Sequence, residues 1–214
     1  MYVREYMSTD VITVTQDTPL HLAQTQMRDH NIQRLPVVDE TGKLVGLVTE
    51  RRLREVVASL ASSIAAGELH KPLTSLTVGE VMESKVLTTS PDAPLADIGA
   101  LGIKHHVGAF PVVDKTGKLV GMITTTDLLR VLANVVRFGE PGARLHLVGT
   151  TERRDLAEVI QIIDKHNAQV KVLFHIIPRQ AKKEELVIHI DTDDVTSIEE
   201  ELKARGYSVS ITSH

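Results

Sequence analysis

Thr124-Thr125-Thr126-Asp127, between Gly121-Met122 and the apolar run Leu128-Leu129, gathers five side-chain oxygens within four residues. Threonine is a poor helix-interior residue because its β-branch costs rotamer freedom, yet at a helix start its oxygen can accept an orphan backbone N–H. One reading is therefore a cap, since Thr124-x-x-Asp127 approaches a capping box with Asp in place of Glu or Gln. The other is a ligand site. There these oxygens, acceptor-only in the Asp127 carboxylate, and the N–H groups of a helix start would face a ligand. Capping and binding are compatible.

The elements that would hold these residues follow from a repeat. RLPVVDETGKLVGLVTERRL and AFPVVDKTGKLVGMITTTDL align without a gap at an offset of 75, which also pairs Val3 with Val78, Met7 with Met82, Asp17 with Asp92, Pro19 with Pro94 and Gly46 with Gly121. About 20 of some 50 aligned positions are identical, so the chain carries two copies of one unit. Each copy reads as a short strand (VITV, VLTT), an amphipathic helix, two strands joined by a Gly-containing turn, and a second helix, in the order βαββα. In the first copy Leu20, Ala23 and Met27 form the helix stripe. Two such units can cover each other's open sheet faces with approximate two-fold symmetry and leave two clefts between them.

The two copies differ where it matters. The first has Gly46, Leu47 and Thr49, then Arg52 where the second has Asp127, and a guanidinium cannot accept a hydroxyl. Conversely Arg34 faces Ala109 in the alignment. Arg34 reads either as a surface arginine or as a bidentate partner for phosphate, and Arg51 is a weaker candidate of the same kind. One cleft is expected to bind well; the other is expected to be degenerate or to take something else.

Composition limits the alternatives. The chain has 214 residues, 42% of them apolar, a net charge of −4, 3% aromatics, no Trp and no Cys. That balance gives no general attraction to nucleic acid and no stacking platform for single-stranded bases. It also excludes disulfides, thiolate metal sites and a cysteine nucleophile. No apolar run reaches membrane-spanning length and no signal-peptide core stands at the N-terminus, so a soluble cytoplasmic protein without membrane partners is expected. The ten histidines lack converging metal-ligand spacing and read as scattered structural or surface residues. No nucleophile is paired with a base, and neither a Walker loop nor a dinucleotide fingerprint occurs.

Two copies of h-P-V-V-D-x-x-G-x-h-V-G-h-h-T, each after an M-x-x-x-V-x-T-like start, resemble a tandem CBS-domain pair, or Bateman module, over roughly residues 1 to 136. The resemblance implies a regulatory protein without catalytic residues or cofactor. Its ligand would be an adenosyl compound such as AMP, ADP, ATP or S-adenosylmethionine, bound between the repeats. The signature G-h-x-[ST]-x-x-D falls on Gly121, Met122, Thr124 and Asp127. Carried over by position, their partners are Val11, Ile12, Gln33, Arg34 and Pro36, with Val11, Ile12 and Met122 enclosing the base.

Beyond RFGEPGARL the pattern changes to βαββαβ, a ferredoxin-like order, with Leu156, Val159, Ile160 and Ile163 as the stripe of its first helix. This part resembles an ACT domain, a module that often binds amino acids and pairs with itself. The loop TTERRD has Arg154 near the place where that family usually has a glycine, so dimerisation is at least as strong an expectation as amino-acid binding. The combination resembles the AcuB-like acetoin-utilisation proteins. The expected fold is thus α+β: CBS repeat 1 over 1–60, a linker over 61–76, CBS repeat 2 over 77–136, and an ACT-like domain over 143–214. The expected assembly is a homodimer that signals to a separate regulated protein. The rival expectations are a ligand-free structural or dimerisation module, and an enzyme using Asp127 as base, which no partner residue supports.

Overall fold

The computed structural model describes residues 1–65, 76–148, 153–177 and 184–213. The expected linker over 61–76 lies largely outside them. The chain divides into two compact units, Met1–Arg130 and Val131–His214.

In the first unit, α1 (Leu20–Asp29) buries Leu20, Ala23 and Met27, the stripe that the helical spacing predicts. An antiparallel hairpin follows, β1 (Arg34–Val38) with β2 (Leu44–Thr49), and then α2 (Glu50–Ala65). The second copy repeats this with α3 (Leu95–His105), β3 (Ala109–Val113), β4 (Leu119–Thr124) and α4 (Thr125–Val135). Both hairpin turns are built alike. Asp39 Oδ1 accepts from Thr41 N, Thr41 Oγ1 and Lys43 N at 2.9, 2.7 and 3.0 Å, and Asp114 Oδ1 accepts from Thr116 N, Thr116 Oγ1 and Lys118 N at 2.8, 2.6 and 3.0 Å.

These bonds, the threonine hydroxyls foremost, hold both carboxyls below their ordinary range. The ionised form is the one the folded state prefers, so the stabilisation is full above the unfolded value of about 4 and is lost as pH falls through the folded one. Urea midpoints measured from pH 7 to 2 should therefore drop on the acid side. The Asp39→Asn/Asp114→Asn double variant should show a shallower drop there.

The expected leading strands are not formed. Each shrinks to one parallel bridge, Val14 with Val37 and Thr89 with Val112. Val14 N donates to Pro36 O at 3.1 Å and Val38 N donates to Val14 O at 2.9 Å. The next rung would need an N–H at position 36, where proline has none, and Pro111 stops the ladder in the same way in the second copy.

The segments before these bridges cross over. The 3-10 turn Val78–Glu80 begins the second copy, yet Val78 and Val81 are buried in the first copy's core with Leu20, Met27, Leu35, Val37 and Val48. Val78 N and Gly79 N donate to Thr18 O and Gln16 O at 2.8 Å each, and Leu47 and Glu83 exchange two backbone bonds of 2.9 Å. Reciprocally, Val3 N and Arg4 N of the turn Val3–Glu5 donate to Ala93 O and Pro91 O at 3.0 Å each, and Ser8 and Met122 exchange two bonds of 2.9 Å. Each copy therefore completes the other. Gly46 and Gly121 are required where these crossings touch the sheet: a Cβ at Gly121 would lie 2.7 Å from Met7 Sδ and 2.9 Å from Ser8 O.

The second unit carries β5 (Ala143–Val148), α5 (Arg153–Lys165), β6 (Val170–Ile176), β7 (Glu185–Ile190), α6 (Thr196–Ala204) and β8 (Ser208–Ser213). Its four antiparallel strands lie in the order β6-β7-β5-β8, so β7 enters between the two strands of the first βαβ unit. The core joins Leu145, Leu147, Ile188 and Ile190 of the sheet to Val159, Ile162 and Ile163 of α5 and Ile198 and Leu202 of α6. The α5 stripe thus departs from expectation at one position: Ile160 is 41% exposed and Ile162 faces inward.

Candidate functional site

In the first unit, the start of α4, the end of β4 and the α1–β1 connection meet around a cavity of about 320 Å³. The first copy contributes apolar walls from Val11, Ile12, Ile32 and Pro36, with Ser8, Asp10, Gln33 and Arg34 as polar groups. The second contributes Gly108, Ala109, Met122 and the three threonines Thr124, Thr125 and Thr126. Eight of the nine residues expected at the site line this one cavity: Val11, Ile12, Gln33, Arg34, Pro36, Met122, Thr124 and Thr126.

The ninth, Asp127, is not among the lining residues. Its Oδ2 accepts from Thr124 N at 2.9 Å and from Thr124 Oγ1 at 2.6 Å, while Asp127 N donates to Thr124 Oγ1 at 3.3 Å. That reciprocity is a capping box, so the run Thr-Thr-Thr-Asp does begin a helix by capping it. The second carboxylate oxygen accepts from Arg130 Nη1 at 3.1 Å, and the Asp127 side chain is 13% exposed. The box fixes Thr124 against the cavity. The following N–H, that of Thr125, donates to Gly108 O at 3.0 Å.

Arg34 is the principal cation of this cavity. It is half-buried at the start of β1, and among the described residues no carboxylate lies within ion-pair reach of it. Its guanidinium passes over Gly108, where a Cβ would stand 3.2 Å from Nη2 and 3.6 Å from Thr125 Oγ1. The repeat offset held this information, because Gln33 and Arg34 face Gly108 and Ala109 in the alignment, a large pair against a small one. Ser8, Asp10, Ile32, Gly108, Ala109 and Thr125 line the cavity without having been expected at the site. Ser8 enters through the crossed leading segment, which the sequence does not reveal.

A second cavity of about 430 Å³ is lined by Leu47, Thr49, Arg51, Arg52, Glu55 and Val81 to Glu83. Thr49 Oγ1 accepts from Arg52 N at 3.1 Å, so the first copy keeps half of the cap. Arg52 Nε donates to Val81 O at 3.3 Å, and Arg51 Nε donates to Glu55 Oε1 at 2.8 Å, which draws the Glu55 carboxyl below its ordinary range. Arg51 thus sits beside this cavity and is already paired. Among the described residues no group of three or more His, Asp or Glu is arranged to hold a metal ion, and no helix is long and apolar enough to cross a membrane.

The sequence model of the CBS domain matches residues 3–59 and 78–134. The chain belongs to the CBS-domain family. Its CBS pair is similar to a CBS domain-containing protein of Dictyostelium discoideum, 34% identical over 134 residues that are 63% of this chain and 92% of the relative. Longer relatives are matched only in part: an uncharacterised protein of Methanocaldococcus jannaschii is 32% identical over 161 residues, 38% of its length. Among solved structures, the CBS domain pair of protein MJ0100 in complex with 5'-methylthioadenosine and S-adenosyl-L-methionine is 29% identical, with a TM-score of 0.50 over 62% of this chain and 99% of that one. A putative acetoin utilization protein (AcuB) from Vibrio cholerae is 29% identical, with a TM-score of 0.54 over 64% of this chain and 93% of that one. The CBS repeats account for the first unit; residues 143–214 lie outside the family match.

Proposed function

We propose that the 320 Å³ cavity of the CBS pair binds a phosphorylated adenosyl ligand and that the protein is a regulator rather than a catalyst. The observation that carries this reading is Arg34, a half-buried cation with no carboxylate within ion-pair reach among the described residues. It stands in a cavity with apolar walls that Asp10 also lines, beside three threonines and a helix N-terminus. The purine fits against Val11, Ile12 and Met122, and the phosphate lies toward Arg34, Thr124 and Thr126. A ribose diol reaches Asp127 by displacing Arg130 from Oδ1. The adenosyl ligands of the MJ0100 structure support the ligand class.

Ligand binding regulates only if the two packings of the repeats differ in affinity for it. The signal then passes to a partner protein, and the likeness to AcuB supports a role around acetoin or acetate metabolism. In the same reading the repeats occupy 1–60 and 77–136, and the βαββαβ unit over 143–214 is an ACT-like domain that brings two copies together. A ligand-free structural module is the second reading. One observation favours it: both carboxylate oxygens of Asp127 are already engaged.

Melting temperatures with AMP, ADP, ATP, S-adenosylmethionine and adenosine separate the two. A ligand at 100 times its Kd should add about 2.7 kcal/mol, whereas the structural module predicts no shift with any of them. Arg34→Met keeps the aliphatic stem and removes the charge. Measured by calorimetry, it should weaken AMP about 10-fold or more, as expected for one charge-assisted contact, and leave adenosine within about 2-fold. Equal losses for both ligands would remove Arg34 from the phosphate position.

A further inference from the structure

The helix α4 starts at the adenosyl cavity, and its last turn belongs to the second compact unit, which begins at Val131. The helix ends tightly. Val136 N donates to Leu132 O and Phe138 N donates to Ala133 O, each at 2.9 Å. The second of these is the long closing bond of a Schellman-type end, with Arg137 before it in the left-handed region at φ +53°. That conformation is usually left to glycine, because it strains a residue that carries a Cβ.

Arg144 of β5 holds this end. Its Nη2 donates to Val136 O at 3.0 Å and to Arg137 O at 2.9 Å, and its guanidinium lies 5.4 Å from the centre of the Phe138 ring. Arg144 is buried, and a cation on the free carbonyls of a helix C-terminus is favourable. The grip is nonetheless incomplete. Among the described residues Arg144 Nε has no hydrogen-bond partner. Neither has Nδ1 of His189, the buried residue directly opposite on β7, whose Nε2 donates to Pro141 O at 3.3 Å. Unpaired buried polar atoms and a left-handed arginine both penalise this closed arrangement.

We propose that Arg144 is a latch, a positioning residue whose hold on the end of α4 transmits occupancy of the adenosyl cavity to β5 and β7. The inference rests on the nucleotide reading of that cavity. A phosphate held by Thr124 and Thr126 fixes α4 at its start. A stiff helix fixed there presents Val136 O and Arg137 O to Arg144 at a smaller loss of conformational entropy. Ligand binding then favours the latched arrangement, whose own penalties leave it sensitive to a modest bias. By linkage, a latched chain binds the ligand more tightly.

Hydrogen exchange of the full chain with and without AMP, read by mass spectrometry over residues 122–128 and 136–148, tests it. Saturating AMP should slow both segments of the wild type about 5-fold or more, the lower end of an ordinary coupling. In Arg144→Met the first segment should still respond, while the response of the second falls below about 2-fold, because the donor to both carbonyls is gone. Arg144→Lys keeps a charged donor and should restore part of it. The melting temperature of Arg144→Met reports whether the fold is kept, and the wild-type comparison decides even where it is not. Slowing confined to 122–128 in the wild type, or an undiminished response at 136–148 in Arg144→Met, would overturn the latch and leave the nucleotide reading standing. AMP that slows neither segment removes both.

Discussion

Asp127→Ala is expected to abolish the rise in melting temperature that an adenosyl ligand produces, while Arg52→Ala at the equivalent position leaves that rise largely intact. The structure adds a complication that sharpens the experiment. Because Asp127 closes a capping box with Thr124, the alanine variant should also lose about 1 kcal/mol of ligand-free stability, a typical cap loss. Asp127→Asn separates the roles. An amide oxygen can still accept from Thr124 N, so the cap survives, but the charge and one acceptor are gone. If the carboxylate docks a ribose diol, both Ala and Asn variants lose the ligand shift and only Ala loses ligand-free stability. If Asp127 is a cap alone, Asn restores both. Equal loss of the ligand shift from Asp127→Ala and Arg52→Ala would refute one strong site beside one degenerate site. The two cavities already differ in the required sense. One is mostly apolar around a single unpaired arginine; the other is crossed by Arg52, bonded to Val81 O, and by the Arg51–Glu55 pair.

Much of this was legible because two copies of one pattern constrain each other. The offset of 75 placed both hairpins, the α1 stripe and the Arg34 against Ala109 contrast, and eight of the nine expected residues surround one cavity. The failures have physical causes. The β-branched residues of VITV and VLTT argue for strands, but a strand needs donors on its neighbour, and Pro36 and Pro111 withhold the N–H that would extend each bridge. The crossing of the leading segments was hidden for a different reason. Val3 and Val78 occupy equivalent positions, so the pattern is the same whether each turn docks on its own copy or on the other. In α5, apolar residues at 159, 160, 162 and 163 fill both sides of the stripe, and spacing alone does not decide which of Ile160 and Ile162 faces the sheet.

Nor does a sequence announce which glycine the fold depends on most. Gly142, just before β5, has φ +121°, a conformation that residues with a Cβ rarely adopt, and its missing side chain would point into the backbone carbonyl of Ile190, well inside van der Waals contact. His189 Nε2 lies 3.1 Å from the same point. Neither neighbour can yield cheaply: Ile190 is fully buried in the core, and His189 is fully buried while Nε2 faces Pro141 O at 3.3 Å. Gly142→Ala is therefore expected to cost about 3 kcal/mol or more, from strain and clash together. Gly139→Ala is the matched control, because Gly139 has φ +78° but open space around its Cβ position, so only the left-handed strain of about 1–2 kcal/mol applies. Urea unfolding of the two variants, with hydrogen exchange of the β5 and β7 amides as the local readout, should rank Gly142→Ala well below Gly139→Ala. Equal losses would mean that the β5 entry relaxes away from Ile190, and that the close approach of these two backbones is not what holds the start of the sheet.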